Sequence, residues 1–166
     1  MWGPAQLQWL KDGLLNSRAP FKIVANGNQV LNPISEFEAL VEFKSEYDDL
    51  LAFIKKNRIP GVVFISGDRH MSELIRLQDS AFYPLYDYTS SSLTAGLAKP
   101  RGPEVDNPYR VAGTLVADAH TFGVLRFSGP RTDRVMTMEC RDVDGTVRWS
   151  QTLRANDLRP PRRENR

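Results

Sequence analysis

Very little in this 166-residue chain is suited to soft-metal or redox chemistry. It has one cysteine, Cys140, which excludes an internal disulfide and any cysteine-built zinc cluster. It has two histidines, His70 and His120, so imidazole chemistry has two addresses at most. No apolar run approaches the ~20 residues that a membrane helix needs. The opening Met-Trp-Gly-Pro-Ala-Gln-Leu-Gln lacks the basic start and apolar stretch of a secretion signal. No repeat stands out at the periods of solenoids, and no Gly-x-Ser-x-Gly elbow surrounds Ser90, Ser91, Ser92 or Thr94, which argues against a serine nucleophile.

What is present is an ordinary globular composition, 41% hydrophobic and 25% charged. Net charge is +2, but the last thirteen residues hold five Arg against Asp157 and Glu164. The body is therefore 17 positive against 18 negative, or −1, and residues 154–166 read as a basic, disordered tail. An alternative role for that tail is anion binding, although its charge is too small to imply nucleic acid as a specific partner.

The pattern divides near residue 77 into an α/β half and a β-rich half. Pro4 with Leu7, Leu10 and Leu14 predicts a helix over 4–16. Residues 21–25 predict a strand ending at the turn Asn26-Gly27-Asn28. Tyr47, Leu50, Leu51 and Ile54 predict a helix over 45–57, started by Ser45 with Asp48 and stopped by Pro60. The doubly apolar run 61–66 predicts a covered parallel strand, closing a β-α-β crossover from 21 to 66. Strands are then expected over 73–77, 85–89, 110–117, 121–127, 134–141 and 145–153, with a long loop at 90–108 and a hairpin at Asp144-Gly145. The fold class is α/β, a crossover followed by mostly antiparallel strands.

Ligands of open α/β sheets gather beyond the carboxyl ends of the strands, and Gly67-Asp68-Arg69-His70 falls there. An Asp and a His two residues apart suit a transition metal, and Gly67 is expected to make the sharp turn. Arg69 is a candidate for contacting a phosphoryl oxygen, or else faces solvent. Glu73 either hydrogen-bonds His70 and sets its tautomer or is an exposed strand residue. Asn26, Asn28 and Gln29 offer polar contacts beside the site, or form a plain turn. His120 reads as structural.

The stretch Val63 to Leu74, with Ser66-Gly67-Asp68-Arg69-His70 at its centre, resembles the last metal-binding block of PhoD-like alkaline phosphatases, members of the calcineurin-like metallophosphoesterases. Gly3-Pro4-Ala5-Gln6-Leu7-Gln8-Trp9-Leu10 resembles the family's Gly-x-x-Gln-x-x-Trp-Leu helix, and Ala19–Val24 the strand after it. Thr89-Ser90-Ser91 followed by Leu93-Thr94-Ala95-Gly96, and Phe122-Gly123, fit in order. The resemblance covers residues 1–153 and implies the carboxyl-terminal half of an αββα sandwich. It implies hydrolysis of phosphate mono- or diesters by hydroxide on a binuclear centre of Fe, Ca, Mn or Zn, with Asp68 and His70 as ligands and catalytic residues alongside Arg69. Asn28, Gln29 and Glu73 would surround them. The family's upstream ligand blocks have no counterpart here, so the chain is expected to be a portion of such an enzyme, weak or inactive alone. Its expected partners are a phosphate ester and either the missing amino-terminal half or a second copy. Export to the periplasm or medium is implied by the family alone. The competing reading is a non-catalytic α/β association module that retains the metal loop as a relic.

Overall fold

The computed structural model describes residues 1–161. Helix α1 spans Gly3–Asn16 and buries Leu7 and Leu14 as its leucine spacing predicts, but the third buried residue is Lys11, and Leu10 is only half-buried. Helix α2 spans Lys44–Lys56 and buries Leu50 and Ile54. Its start differs from expectation: the flanking residue is Phe43, without a side-chain cap, and Ser45 lies inside the helix. The carboxylate of Glu46 instead accepts the Trp2 and Gly3 backbone N–H groups at 2.8 and 2.9 Å. Those are donors that the first turn of α1 leaves without intrahelical partners, so the capping acid comes from a neighbouring helix.

Four strands form the first sheet: β1 (Lys22–Ala25), β2 (Val62–Ser66), β3 (Glu73–Leu77) and β4 (Leu85–Thr89), in the order β1-β2-β4-β3. β1 and β4 both pair with β2 in parallel, while β3 pairs with β4 antiparallel. Parallel strands buried on both faces need apolar residues at successive positions, and Val62, Val63 and Phe64 are fully covered. A second, antiparallel sheet contains β5 (Thr121–Ser128), β6 (Val135–Asp142) and β7 (Val147–Arg154). The expected strand over 110–117 is absent. Arg110 and Val116 make only isolated bridges to Ile75 and Ser72, because the segment's turns at Asn107–Arg110 and Val111–Thr114 interrupt it.

One hydrophobic cluster joins both helices and both sheets. Tyr88 meets Trp149 edge to face at 4.8 Å between ring centres, and Phe21 meets Phe127 at 6.0 Å. The expected disordered tail is corrected over its first residues: Arg154 ends β7, Ala155 and Leu158 are buried, and Leu158 accepts the Gly61 N–H at 2.9 Å. The rest of that tail, 162–166, lies outside the described residues.

Candidate functional site

Three connections converge at the carboxyl ends of β1, β2 and β4. The Gly67 N–H donates to Gly27 at 2.9 Å, and the Ser90 N–H donates to Ser66 at 2.8 Å. The sharp turn is not made by Gly67. The left-handed conformations fall on Asp68 (φ 62°) and His70 (φ 55°), with a third on Ser92 (φ 62°). Non-glycine residues adopt this region at some cost in strain, which collects where surrounding structure imposes a geometry.

Between two such residues the chain alternates direction. Asp68 is exposed, Arg69 is buried and His70 is half-buried. Asn28 Nδ2 donates to Asp68 Oδ2 at 2.9 Å, and Oδ1 has no donor among the described residues. His70 is held through its backbone: its N–H donates to Ser91 Oγ at 2.9 Å, and its carbonyl accepts the Ala98 N–H at 2.9 Å. His120 anchors the adjacent loop, with Nδ1 2.7 Å from the Ser92 carbonyl.

Arg69 neither faces solvent nor reaches toward the turn's open side. It forms a two-pronged pair with Glu104 at 2.8 and 2.5 Å, and it donates to Gln29 Oε1 and Ser35 Oγ at 2.8 Å. Its guanidinium also lies 4.9 Å from the Phe37 ring centre. Glu73 likewise does not serve His70. Its two oxygens accept Gln29 Nε2 at 2.7 Å and Arg110 Nε at 2.6 Å, in full burial. Gln29 spends its amide on Glu73, Thr89, Asn32 and Arg69, so it belongs to this network and not to the Asp68 side. Asn26 bonds the Asn28 carbonyl and Trp2 Nε1, bracing the turn beside Asn28.

The buried network has two cations, Arg69 and Arg110, paired with two anions, Glu104 and Glu73. A third buried carboxyl, Asp87, has no cation. It accepts the Val30 and Leu31 N–H groups and the Ser66 hydroxyl. Burial raises its pKa above the ordinary carboxylate range, against the pull of those donors. Sequence reasoning missed Glu104, Arg110 and Asp87: their partners stand 35, 37 and 57 residues away, and no local pattern links them.

Asp68 and His70 are donor types that fit a transition metal. Among the described residues, however, no group of three or more His, Cys, Asp or Glu side chains could hold an ion.

The fold is mixed α/β, with a turn bearing Asp68 and His70 at a strand end. A family model for PhoD-like phosphatases matches residues 1–118, and the chain belongs to that family. Among solved structures it is similar to one described as the structure of PhoD, with a TM-score of 0.71 and 17% identity. That similarity covers 95% of this chain and 34% of the other, so the chain spans about a third of the PhoD chain's length. No curated protein matches it.

Proposed function

We propose that this chain is the carboxyl-terminal portion of a metal-dependent phosphoesterase acting on phosphate mono- or diesters. Asp68 and His70 contribute two of the metal ligands. The observation that carries the reading is the turn itself: Asp68 and His70, two residues apart at the end of a covered parallel strand and both in left-handed backbone, bear a carboxylate and an imidazole in a chain of a phosphatase family. When bound, the metal supplies Lewis acidity toward phosphoryl oxygens. Asn28 orients the Asp68 carboxylate by its hydrogen bond, and Ser91 with Ala98 fixes the backbone of His70. Arg69 is left out of the reaction, since its donors are committed to Glu104, Gln29 and Ser35.

Two ligands bind a cation weakly, because affinity grows with the full set. The isolated chain is therefore a poor phosphatase. Metal analysis after reconstitution with Mn, Fe, Zn or Ca, beside turnover of p-nitrophenyl phosphate, tests the proposal. Bound metal that Asp68→Asn or His70→Ala abolishes is the expected result, and metal retained by both variants refutes the assignment. The incomplete ligand group favours one competing reading, an association module that keeps the loop as a relic. Metal-free protein without turnover, even when a chain supplying the remaining ligands is added, selects it.

A further inference from the structure

The amino-terminal ends of β1 and β2 open onto a cavity of about 670 Å³. β1 and β2 run in parallel, and Asp68 follows the far end of β2, about 16 Å of strand away for five residues. The cavity's charged lining is Arg18, Lys22, Arg131 and Arg159, and no Asp or Glu among the described residues lines it. The imbalance is local. The sequence has 22 Lys and Arg against 20 Asp and Glu; without these four cations it would stand at 18 against 20, or −2. Asp133, close in sequence to Arg131, is engaged by Arg154 at 3.0 Å.

The frame is rigid. At Gly61 (φ 72°) a Cβ would meet the Pro20 carbonyl oxygen at 2.0 Å, so the two segments can touch only because no side chain intervenes. Gly61 also accepts the Lys22 N–H at 2.7 Å. Pro20, Pro60 and Pro160 line the space with fixed φ, so little backbone freedom remains to be lost on binding. Lys22 is 7% exposed, and its Nζ donates to the Ala19 and Pro60 carbonyls at 3.0 Å each. An ammonium has three donors, so one lies beyond those two carbonyls. Arg131 Nη2 donates to the Arg18 carbonyl at 3.2 Å, one of a guanidinium's five N–H bonds.

We infer that this cavity binds a ligand carrying two or more phosphate groups. Guanidinium forks match phosphate oxygens in pairs, and the ammonium adds a point charge. A single phosphate engages one or two of the four cations, whereas linked phosphates engage them together. The volume falls in the range of small-molecule sites, ~300–1,000 Å³. The inference does not rest on the metal centre proposed above.

Calorimetric titration of the metal-free chain at low salt, with inorganic tripolyphosphate, ATP and inorganic phosphate, tests it. Tripolyphosphate should bind saturably at one site, more tightly than phosphate, and weaken as salt rises. Equal binding of ATP extends the class to nucleotides, and its failure confines it to inorganic chains. Arg18→Gln with Arg159→Gln, both exposed positions, should weaken tripolyphosphate on the order of tenfold, the factor of one charge-assisted hydrogen bond. Asp68→Asn should leave it unchanged. Absence of saturable binding, indifference to the arginine pair, or loss in Asp68→Asn overturns the inference. Circular dichroism of each variant confirms that the fold compared is the same.

Discussion

At the scale of single residues, the consequential groups are buried charges whose partners are fully specified. Glu104 and the Arg69 side chain are 0% and 4% exposed. Removing one member of such a pair leaves the other charged and uncompensated. Glu104→Ala should therefore cost about 3–5 kcal/mol, read by chemical denaturation. Replacing both, as Arg69→Met with Glu104→Leu, should recover much of the loss, because it removes the stranded charge. Asp87 gives a pH signature. Its folded pKa is raised by burial, so its contribution to stability is complete below the ordinary carboxylate range and is lost as pH rises through the raised value. Glu46 acts in the opposite sense: the Trp2 and Gly3 N–H groups hold its pKa low, so its contribution is lost as pH falls. The difference between wild-type and Asp87→Asn melting curves isolates the first effect. Wild type should lose stability relative to the variant as pH rises, and a flat difference would contradict the assignment.

At the scale of elements, the two sheets are joined at Tyr88. Its ring meets Trp149, and its hydroxyl donates to the Glu139 carbonyl at 3.0 Å. Gly123 in β5 leaves room for this crossing: a Cβ there would stand 2.9 Å from Ser90 Oγ and 3.0 Å from the Tyr88 ring and hydroxyl. Gly123→Val should thus push Tyr88 from its place, costing about 1–3 kcal/mol through overpacking. The effect should appear as lost near-ultraviolet dichroism from Tyr88 and Trp149. Trp149→Phe, by contrast, should be mild, since the indole Nε1 is buried without a partner and its removal sacrifices no hydrogen bond.

At the scale of the molecule, β1 lies at the edge of its sheet, paired with β2 on one side. Beside it runs a groove of about 520 Å³ lined by Trp9, Leu10, Phe21 and Ile23, and Trp9 is 73% exposed. An open edge flanked by apolar surface recruits further strands. The chain should self-associate with rising concentration in sedimentation experiments, and Trp9→Glu with Ile23→Lys should return it to monomer. A wild-type chain that stays monomeric across the range would show that this edge is protected.

The periodicities of Leu7, Leu10 and Leu14, and of Tyr47 to Ile54, were enough for both helices, and the apolar run 61–66 for the central strand. These patterns are local records of which face is buried, so they can be read without knowing the neighbour. The turn after Ser66 was legible by position, and its residues resembled a phosphatase block. The roles of Arg69, Gln29 and Glu73 were not, because each depends on groups far along the chain, Glu104 and Arg110 above all. Asp and His tolerate left-handed backbone better than most residues, but no local pattern places it on Asp68 and His70 instead of the adjacent Gly67. Local periodicity determined both helices and the central strand, but not the segment 110–117, where turns replace the expected strand. Only tertiary packing decided which charges are spent inside the fold and which remain for a ligand, since a buried charge goes to whatever partner the folded chain brings within reach.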